Sequence, residues 1–370
     1  MGGSVFGKNV RVMTFGESHG TALGAVIDGI PAGMPLCNDD IQKLLDRRRP
    51  GQNDFSTKRN ESDSVEILSG VFEGRTLGTP IAMMVRNSDA HSKDYDSLKD
   101  IYRPGHADFP FQEKYGFRDH RGGGRSSGRE TIGRVMAGAV CEKALSLAGI
   151  KVCAYTRAIG PVTAEKTELS EISENQLFMP DNEASKKAAE YILSMKGKGD
   201  SVGGIVECSI DGLFPGIGET VFDKLDAVLS KAVMSIGAVK GFEIGEGFNA
   251  SRLSGSENND PFYIDEDKSI KKKTNHSGGT LGGMSDGAPL IFRAAIKPTP
   301  SISIPQETVN RFGENTSIEI KGRHDPVIVP RAVVVVESMT AISILDLLIS
   351  DMSSRIDYLS SFSEKRKNEL

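Results

Sequence analysis

Cysteine and histidine are both scarce in this chain, and their spacing does not favour a metal site. The 370 residues include four cysteines and six histidines. No Cys-x-x-Cys, His-x-His or His-Glu-x-x-His pattern occurs, so we predict no bound metal. We expect free, buried thiols in a reducing compartment. The cysteines are Cys37, Cys141, Cys153 and Cys208.

Signals for secretion, membranes and common nucleotide loops are lacking as well. No basic-plus-apolar segment opens the sequence, so we expect a cytoplasmic protein. The longest apolar tract, 332–349, contains Glu337 and Asp346, which favours a core helix, or a strand leading into one, over a membrane span. No Gly-Lys-Ser/Thr follows a glycine loop, and no Gly-x-Gly-x-x-Gly follows the first predicted strand. The net charge of -5 gives no global attraction to nucleic acid or acidic membranes.

Glycine is abundant, at 41 residues, and one glycine-rich loop also carries three arginines. Glycine lets backbone N–H groups approach an anion, and arginine binds phosphate or carboxylate with a two-pronged fork. A predicted helix follows the loop, and helix N-termini favour negative charge. The loop therefore predicts a cradle for a nucleotide, a flavin phosphate or a phosphorylated metabolite. Its sequence is Arg121-Gly122-Gly123-Gly124-Arg125-Ser126-Ser127-Gly128-Arg129.

Arginine-glycine segments can alternatively be flexible linkers or disordered RNA-binding tails. Such segments are usually long, repetitive and terminal, whereas this loop is short and internal. The chain is acidic overall, and the loop has no interleaved aromatic residues. We therefore favour the anion cradle and expect no nucleic-acid partner.

Apolar periodicity predicts a mixture of strands and helices. The clearest helix spans 131–148, and its small residues at 137–139 and 144 suggest packing on more than one side. The polar segment 254–274 is expected to be a solvated loop. Asn38 or Asp39 is the expected cap of the first helix. Predicted helices end at Arg49 and span 131–148, 183–195 and 221–235; predicted strands are 10–15, 22–30, 65–72, 80–85, 150–159, 202–210, 239–244 and 290–296.

Four of the six histidines lie in turn-like, glycine-rich segments, where they are candidate general acids because their pKa is near working pH. Any one of them alone could simply cap a turn. The segment Gly16-Glu17-Ser18-His19-Gly20 matches the nucleophile elbow of hydrolases, but a strand rather than a helix follows it. The four histidines are His19, His106, His276 and His324.

Arginines recur beside these histidines and predict a cationic pocket that contains acid groups. Such a pocket suits a substrate with several negative charges and a phosphate that leaves, because it can protonate the leaving group and neutralise its charge. The arginines concerned are Arg47, Arg48, Arg49, Arg103, Arg121, Arg125, Arg129 and Arg323.

Together these segments resemble the chorismate synthase family, in the family's order and over nearly the whole chain. The matching segments are Phe15-Gly16-Glu17-Ser18-His19-Gly20, Arg103-Pro104-Gly105-His106-Ala107-Asp108, Tyr115-Gly116, Arg121-Gly122-Gly123-Gly124-Arg125-Ser126-Ser127, Met234-Ser235-Ile236, Val239-Lys240-Gly241, Leu281-Gly282-Gly283, Lys297-Pro298-Thr299 and Lys321-Gly322-Arg323-His324-Asp325-Pro326. Because the motifs run from 15 to 326, we expect one catalytic domain over 1–370.

The resemblance implies a carbon–oxygen lyase that converts 5-enolpyruvylshikimate 3-phosphate into chorismate and phosphate. The reaction is a 1,4-anti elimination that requires reduced FMN, and it closes the shikimate pathway toward aromatic amino acids. The implied fold is α+β, a single-domain sandwich with helices packed between two mainly antiparallel sheets, assembled as a homotetramer. No added flavin-reductase segment is identifiable, so an external flavin reductase is expected, with NADPH as an indirect electron source. An NADPH-dependent flavin reductase is the alternative enzyme class.

The resemblance also implies residue roles. His19, near Ser18, would protonate the leaving phosphate, His106 would protonate or polarise the reduced flavin, and Asp325 would help flavin N5 take the C6 hydrogen. Ser127 joins these catalytic candidates. The implied substrate-binding residues are Arg48, in a position also assigned to NADP, Arg49 and Arg129. The implied FMN contacts are Arg125, Ser126, Ser127, Gly237, Ala238, Gly282, Lys297, Pro298, Thr299, Pro300, Ser301 and Arg323.

Three positions depart from the family pattern. Asp54 stands where an arginine is frequent, and Lys58 or Arg59 is the candidate substitute for that contact. Gly237 stands where asparagine is common, which leaves only a backbone contact, and Pro300 replaces a frequent serine donor.

Overall fold

The structure is a computed structural model that describes residues 3–49, 51, 63–87, 99–320 and 325–368. The strands are β1 (Val5–Phe6), β2 (Arg11–Phe15), β3 (Ala22–Asp28), β4 (Val65–Ile67), β5 (Val71–Phe72), β6 (Arg75–Thr76), β7 (Ile81–Arg86), β8 (Lys151–Ile159), β9 (Val162–Thr163), β10 (Gly204–Asp211), β11 (Val239–Ile244), β12 (Phe262–Ile264), β13 (Ile270–Lys272), β14 (Thr280–Leu281), β15 (Met284–Ser285), β16 (Leu290–Ile296), β17 (Gln306–Val309) and β18 (Asn315–Ile318). The helices are α1 (Asn38–Arg48), α2 (Asp108–Tyr115), α3 (Thr131–Leu147), α4 (Asn182–Gly197), α5 (Leu225–Met234), α6 (Gly255–Asn258), α7 (Val329–Asp351) and α8 (Ile356–Asn368).

The first sheet has the strand order β1-β2-β3-β7-β4, with antiparallel neighbours throughout. In its register Met13 faces Val26, which in turn faces Ala82. Alternate residues of β3 and β7 are buried, as expected of strands that cover a core with one face. This sheet carries the β2–β3 loop, in which Ser18 and His19 lie.

The second sheet has the order β11-β16-β10-β8-β9 and is also antiparallel. Cys208 of β10 lies between Phe292 of β16 and Ala154 of β8. The β10–β8 register shifts once, between Ile205 and Val206. The segment after β16 carries residues 297–301, so this sheet positions the second predicted part of the site.

Helices α3 and α7 lie between the two sheets. Helix α3 packs on β2, β3 and β7 on one side and on α7 on the other, while α7 packs on β8 and β10. Glycines permit both close approaches: a Cβ at Gly133 would lie 2.8 Å from the carbonyl oxygen of Gly24, and one at Gly138 would lie 2.2 Å from Cβ of Ser338. The predicted α+β sandwich with central helices is confirmed, as is the packing of α3 on two sides.

The apolar tract 332–349 belongs to helix α7. This helix is long and apolar enough to cross a membrane, but 83% of its apolar window is buried inside the protein. Three hydroxyl groups on it donate to the carbonyl oxygen four residues earlier, which satisfies them without water. The expectation of a core helix is therefore confirmed. The hydroxyl groups belong to Ser338, Thr340 and Ser343.

Several local predictions need correction. Cys37, rather than Asn38 or Asp39, is the N-cap of α1, in a capping box with Asp40. The predicted strand 65–72 is interrupted, because Gly70 has φ +80 and turns the chain between β4 and β5. Helix α5 begins at Leu225 instead of 221, and the predicted strand 202–210 begins at Gly204.

The segment 254–274 is more ordered than a solvated loop. It contains α6 and the hairpin of β12 and β13, and it contributes Lys272, whose side chain is 2% exposed. The Lys272 ammonium group donates to Asp260, Asn275, Ser277 and Asp286. This charge is therefore paired inside the protein, where the sequence predicted a solvated run.

The cysteine expectation is confirmed in part. Cys141 on α3 and Cys208 on β10 are buried and free, and burial raises the pKa of both thiols. Cys153 on β8 is half-buried, and burial raises its pKa to about 11. Cys37 is exposed, because it precedes the first turn of α1 at the surface.

Candidate functional site

The β2–β3 loop and the arginine-glycine loop meet at His19. The buried Ser18 hydroxyl lies 3.0 Å from Nδ1 of His19. Gly122 has φ +153, and a Cβ there would lie 2.4 Å from Nδ1 of His19 and 3.0 Å from Oγ of Ser18. Only glycine fits at 122, because any side chain would displace the imidazole. The two loops, predicted separately from sequence, therefore form one wall of the candidate site.

The arginine-glycine loop has the backbone shape of an anion-binding nest. Gly123 is right-handed helical and Gly124 has φ +50, and this alternation turns successive N–H groups toward one side. A Cβ at Gly124 would meet no described heavy atom within 4 Å outside its own neighbours. The Ser126 hydroxyl donates to the Gly123 carbonyl at 2.7 Å and so stiffens the turn. Ser127 caps the next short helix by accepting from the Arg129 N–H at 3.3 Å.

Arg125 is held by the protein more firmly than the sequence indicated. Its guanidinium group donates to the carbonyl oxygen of Gly16 at 3.1 Å and to the Thr14 hydroxyl at 2.6 Å. It also lies 3.5 Å from the carboxylate of Glu130. The side chain is one quarter exposed, so it presents one edge to solvent while these contacts fix the other.

Arg48 lies at the centre of a buried arginine cluster. Its side chain is 2% exposed and donates to the Thr131 hydroxyl at 3.1 Å, to the Gly128 carbonyl at 2.6 Å and to Asp63 at 3.3 Å. Burial, together with the neighbouring Arg331 guanidinium, lowers the pKa of Arg48 to about 10. Arg48 therefore remains a cation at neutral pH.

Asp63 and Asp325 are the carboxylates that the described part of the chain contributes to this cluster. Arg129 donates to Asp63 at 3.1 Å, and burial raises the pKa of Asp63. Asp325 pairs with Arg331, which also donates to the Arg48 carbonyl at 3.2 Å. Among the described residues, three guanidinium groups are thus concentrated around Asp63 and Asp325. Such a concentration of arginine favours an anionic ligand.

Asn87 joins the arginine cluster to His19. Its side-chain oxygen accepts from Arg129 at 2.7 Å, and its side-chain nitrogen donates to the carbonyl oxygen of Gly20 at 2.7 Å. An anion held by the cluster would therefore lie beside the Ser18–His19 pair. Arg49 is one third exposed, pairs with Asp46 at 3.7 Å, and lies at the edge of this cluster.

His106 is fixed through both ring nitrogens. Nδ1 lies 3.0 Å from the Pro104 carbonyl, which can only accept, so Nδ1 carries the proton. Nε2 lies 2.9 Å from the Ser301 hydroxyl, which donates to it when the ring is neutral. Burial and the Arg103 charge lower the pKa of His106, so the neutral ring predominates at pH 7. The loop is held by a two-pronged Arg103–Asp108 ion pair at 2.7 and 2.8 Å.

The segment 297–301 connects His106 with residues 237–238. The backbone N–H of Lys297 donates to the Ala238 carbonyl at 2.9 Å. Its ammonium group donates to the Gly105 carbonyl at 2.9 Å. Burial and the Lys240 charge lower the pKa of Lys297. The hydroxyl oxygen of Thr299 is buried without a hydrogen-bond partner among the described residues.

These features fit a phosphorylated flavin. The nest, the exposed edge of Arg125 and the Lys297 ammonium group supply hydrogen-bond donors for an anion. The Thr299 hydroxyl, which has no partner in the described part of the chain, could hydrogen-bond to a polar ligand atom. The Ser301 hydroxyl contacts His106, so this predicted flavin contact also links the 297–301 segment to the histidine. Pro300 lies against Gly105, where a Cβ would approach Cβ of Pro300 to 2.7 Å.

The remaining predicted residues are less closely connected. Gly237 and Pro298 are exposed. Gly282, with φ +61, lies in the β14–β15 hairpin, whose Gly283 carbonyl accepts from the first residue of α5. Gly282 and Gly237 are therefore at opposite ends of α5, about 15 Å apart by helix length. Arg323, His324, His91, Asp54, Lys58 and Arg59 lie outside the described residues.

Among the described residues, sequence reasoning missed four that contact the predicted site: Asp63, Asn87, Glu130 and Arg331. Arg331 could have been found as the one basic residue in the first turns of an apolar helix. Glu130 follows Arg129 at a helix start, where acidic residues are common. Asp63 and Asn87 follow no motif, and only tertiary structure brings them to the arginines.

Two antiparallel sheets enclosing helices, with a cationic site that contains two oriented histidines, define an α+β enzyme of anionic substrates. The chorismate synthase family model matches residues 10–349. A chorismate synthase of Agathobacter rectalis is 60% identical over 99% of this chain and 100% of its own length. One of Methanococcoides burtonii is 55% identical over 94% of this chain and 96% of its own.

A solved structure titled "Crystal Structure of Chorismate Synthase" superposes with a TM-score of 0.77 at 33% identity, covering 98% of this chain and 99% of that chain. The chain belongs to the chorismate synthase family. It is an enzyme of chorismate formation in the shikimate pathway, a lyase that acts on a small molecule and serves aromatic amino acid biosynthesis.

Proposed function

We propose that the chain converts 5-enolpyruvylshikimate 3-phosphate into chorismate and phosphate by a 1,4-anti elimination that requires reduced FMN. The observation that carries this proposal is the concentration of Arg48, Arg129 and Arg331 in one cluster around the buried Arg48 side chain. A substrate with two carboxylates and a phosphate carries the negative charge that such a cluster attracts. Asn87 then holds that anion site next to His19.

At the phosphate, His19 is the proton donor. Its Nδ1 contact with Ser18 orients the ring, and the imidazolium ion passes a proton to the departing phosphate oxygen. Arg48 and Arg129 bind substrate oxygens and neutralise the charge that develops as the C–O bond breaks. Arg49, at the edge of the cluster, adds to the field, and Ser127 holds Arg129 by capping its helix.

The cofactor would be held by the arginine-glycine loop, residues 237–238, Gly282 and residues 297–301. Reduced FMN, when bound, supplies electron density that allows a non-acidic C6–H bond to break. His106 holds a proton at Nδ1 and engages Ser301 at Nε2, and its lowered pKa makes the protonated ring a stronger acid. Asp325, held by Arg331, assists departure of the C6 hydrogen.

The test is phosphate release from 5-enolpyruvylshikimate 3-phosphate with dithionite-reduced FMN. His19→Ala and His106→Ala should each lower turnover by about 100-fold or more, the usual contribution of a positioned acid. His276→Ala is the matched control, because His276 contacts Asn258 in a separate hairpin region. Near wild-type turnover in both His19→Ala and His106→Ala would refute the assigned roles.

The alternative class, an NADPH-dependent flavin reductase, shares a flavin site, and its polyanionic NADPH would also suit an arginine cluster, so the reaction itself has to distinguish the two classes. NADPH oxidation with FMN and without 5-enolpyruvylshikimate 3-phosphate would support it. We expect no such oxidation, because an external flavin reductase supplies the electrons and NADPH acts only indirectly.

We further propose a cytoplasmic homotetramer whose subunits are single catalytic domains over 1–370. Support comes from apolar side chains on the outer face of the first sheet, since Val5, Met13 and Phe15 are each more than 40% exposed. Sedimentation equilibrium of the purified chain should give four times its mass of 39.8 kDa. A monomer at micromolar concentration would contradict the assembly.

A further inference from the structure

Glu130 lies at the start of α3 and is 8% exposed, yet none of the roles above involves it. Its carboxylate is fully engaged by side chains from two directions. Oε1 accepts from the Thr14 hydroxyl at 2.7 Å and lies 3.5 Å from Arg125, while Oε2 accepts from Nε of Arg134 at 2.8 Å. The carboxylate therefore holds the arginine of the nest loop on one side and a second arginine on the other.

Arg134 extends this connection to the second sheet. Its other guanidinium nitrogen donates to the Ser235 hydroxyl at 2.6 Å, and that hydroxyl donates to the Ala232 carbonyl at 2.6 Å. Ser235 ends α5, and Ala238 three residues later accepts from the Lys297 N–H. A continuous series of side-chain contacts thus runs from Arg125 through Glu130 and Arg134 to Ser235, which precedes the loop beside Lys297.

The charges make Glu130 necessary for this arrangement. Arg125 and Arg134 both approach one carboxylate, and within the described ranges neither has another carboxylate partner. Without the negative charge, two partly buried guanidinium groups would repel each other and turn toward solvent. Thr14, which both donates to Glu130 and accepts from Arg125, would lose its ordered geometry as well.

We propose that Glu130 is a positioning residue that fixes the arginine-glycine loop and the 235–238 segment in one spatial relation. The consequence for a flavin phosphate site rests on the proposed function, because both segments are among the implied FMN contacts. The coupling itself does not, since it concerns only the chain's own residues.

The first experiment needs no cofactor. Hydrogen exchange at the amides of residues 235–239 is compared between the wild type and Glu130→Gln, which keeps size and removes charge. Loss of charged hydrogen bonds should raise exchange there by about tenfold. Glu190→Gln, an exposed glutamate on α4, is the control and should leave this segment unchanged. Wild-type exchange in Glu130→Gln would overturn the inference.

The second experiment measures binding of oxidised FMN through flavin fluorescence. Glu130→Gln should weaken binding by about tenfold, and exposed Ser235→Ala, which cuts only the far end of the connection, should weaken it in part. The effects of the two changes should be less than additive in the double variant. Full additivity of the two effects would overturn the coupling. If Glu130→Gln folds poorly, Arg134→Gln replaces it in the same double-variant comparison with Ser235→Ala. Absence of FMN binding by the wild type would instead refute the proposed function, and the exchange result would still decide the coupling.

Discussion

His106 shows how a single residue is set by its surroundings. The Pro104 carbonyl fixes its tautomer, Ser301 occupies Nε2, and burial next to Arg103 disfavours the charged ring. Asp108 acts in the opposite direction, because its charge raises the pKa of His106. The ring is therefore oriented and largely neutral before any ligand binds.

Lys297→Met should raise the pKa of His106 toward its ordinary value, because the Lys297 charge is one of those that lower it. The ring protons of His106 in the FMN-free protein report this titration by NMR. The pKa of His106 in the folded protein lies below its unfolded value of about 6.5. The free energy of unfolding therefore falls as the pH drops from the unfolded to the folded pKa, and Lys297→Met should lose less of it than the wild type. Lys240→Met, which removes a positive charge beside Lys297 and leaves Lys297 in place, is the control. An unchanged or lower His106 pKa in Lys297→Met would contradict the prediction.

At the same scale, the sequence identified candidate acids but not the residues that surround them. The motifs around His19, His106 and Arg125 are contiguous, so their chemistry could be predicted from local composition. Asp63 and Asn87 come from separate segments, and nothing local distinguishes them from surface residues. The contact of the Ser301 hydroxyl with the His106 imidazole, 195 residues away in sequence, could not be predicted from local sequence either.

At the scale of elements, α3 is the helix on which the site depends. It begins at the end of the arginine-glycine loop, and its two faces contact the first sheet and α7. Gly133 and Gly138 permit those contacts, since each leaves no room for a Cβ. The position of the loop therefore follows from how closely α3 approaches its neighbours.

Gly138→Ala should lower the free energy of unfolding by about 1–3 kcal/mol, because the added methyl group overlaps Ser338 and forces α3 and α7 apart. Urea denaturation measures the change. Gly197→Ala, at the open end of α4, is the matched control; it should be neutral or stabilising by less than about 1 kcal/mol. Equal stability of Gly138→Ala and the wild type would show that the helices can separate freely.

Most strands and helices could be predicted, because alternation and helical periodicity are local properties of the sequence. The order of strands could not, since β10 pairs with β16 and β8 through contacts between distant segments. The hairpin of β12 and β13 was missed because its residues are polar or exposed and show no alternation. Helix starts were displaced where a cap such as Cys37 is unusual.

At the scale of the whole molecule, the core contains a charged group between layers. Glu337 of α7 accepts from the Ala154 N–H at 2.9 Å and pairs with Arg47 of α1 at 2.7 Å. Glu142 of α3 lies nearby, and burial together with Glu337 raises its pKa to about 7, although Arg47 acts against this. Cys153 of β8 belongs to the same group. Three helices and a strand thus share one electrostatic environment.

Glu142→Gln should stabilise the protein progressively as the pH rises. The folded carboxyl group has its pKa near 7 and the unfolded one about 4.5, so ionisation costs stability between those values. The gain should approach about 3 kcal/mol near pH 8 and vanish near pH 4.5. Thermal unfolding from pH 5 to pH 8 measures it, with exposed Glu190→Gln on α4 as the control. A pH-independent difference would refute the buried carboxyl explanation.

Helix α7 is made last among the layers that it joins. During synthesis the strands of both sheets, α1 and α3 leave the ribosome before residue 351 does. Until then, the apolar face of α3 and the face of the second sheet that pack on α7 are exposed to solvent. The nascent chain must keep these surfaces from associating with other chains until α7 has been synthesised. Messages truncated before α7 should therefore yield aggregates rather than a smaller folded protein.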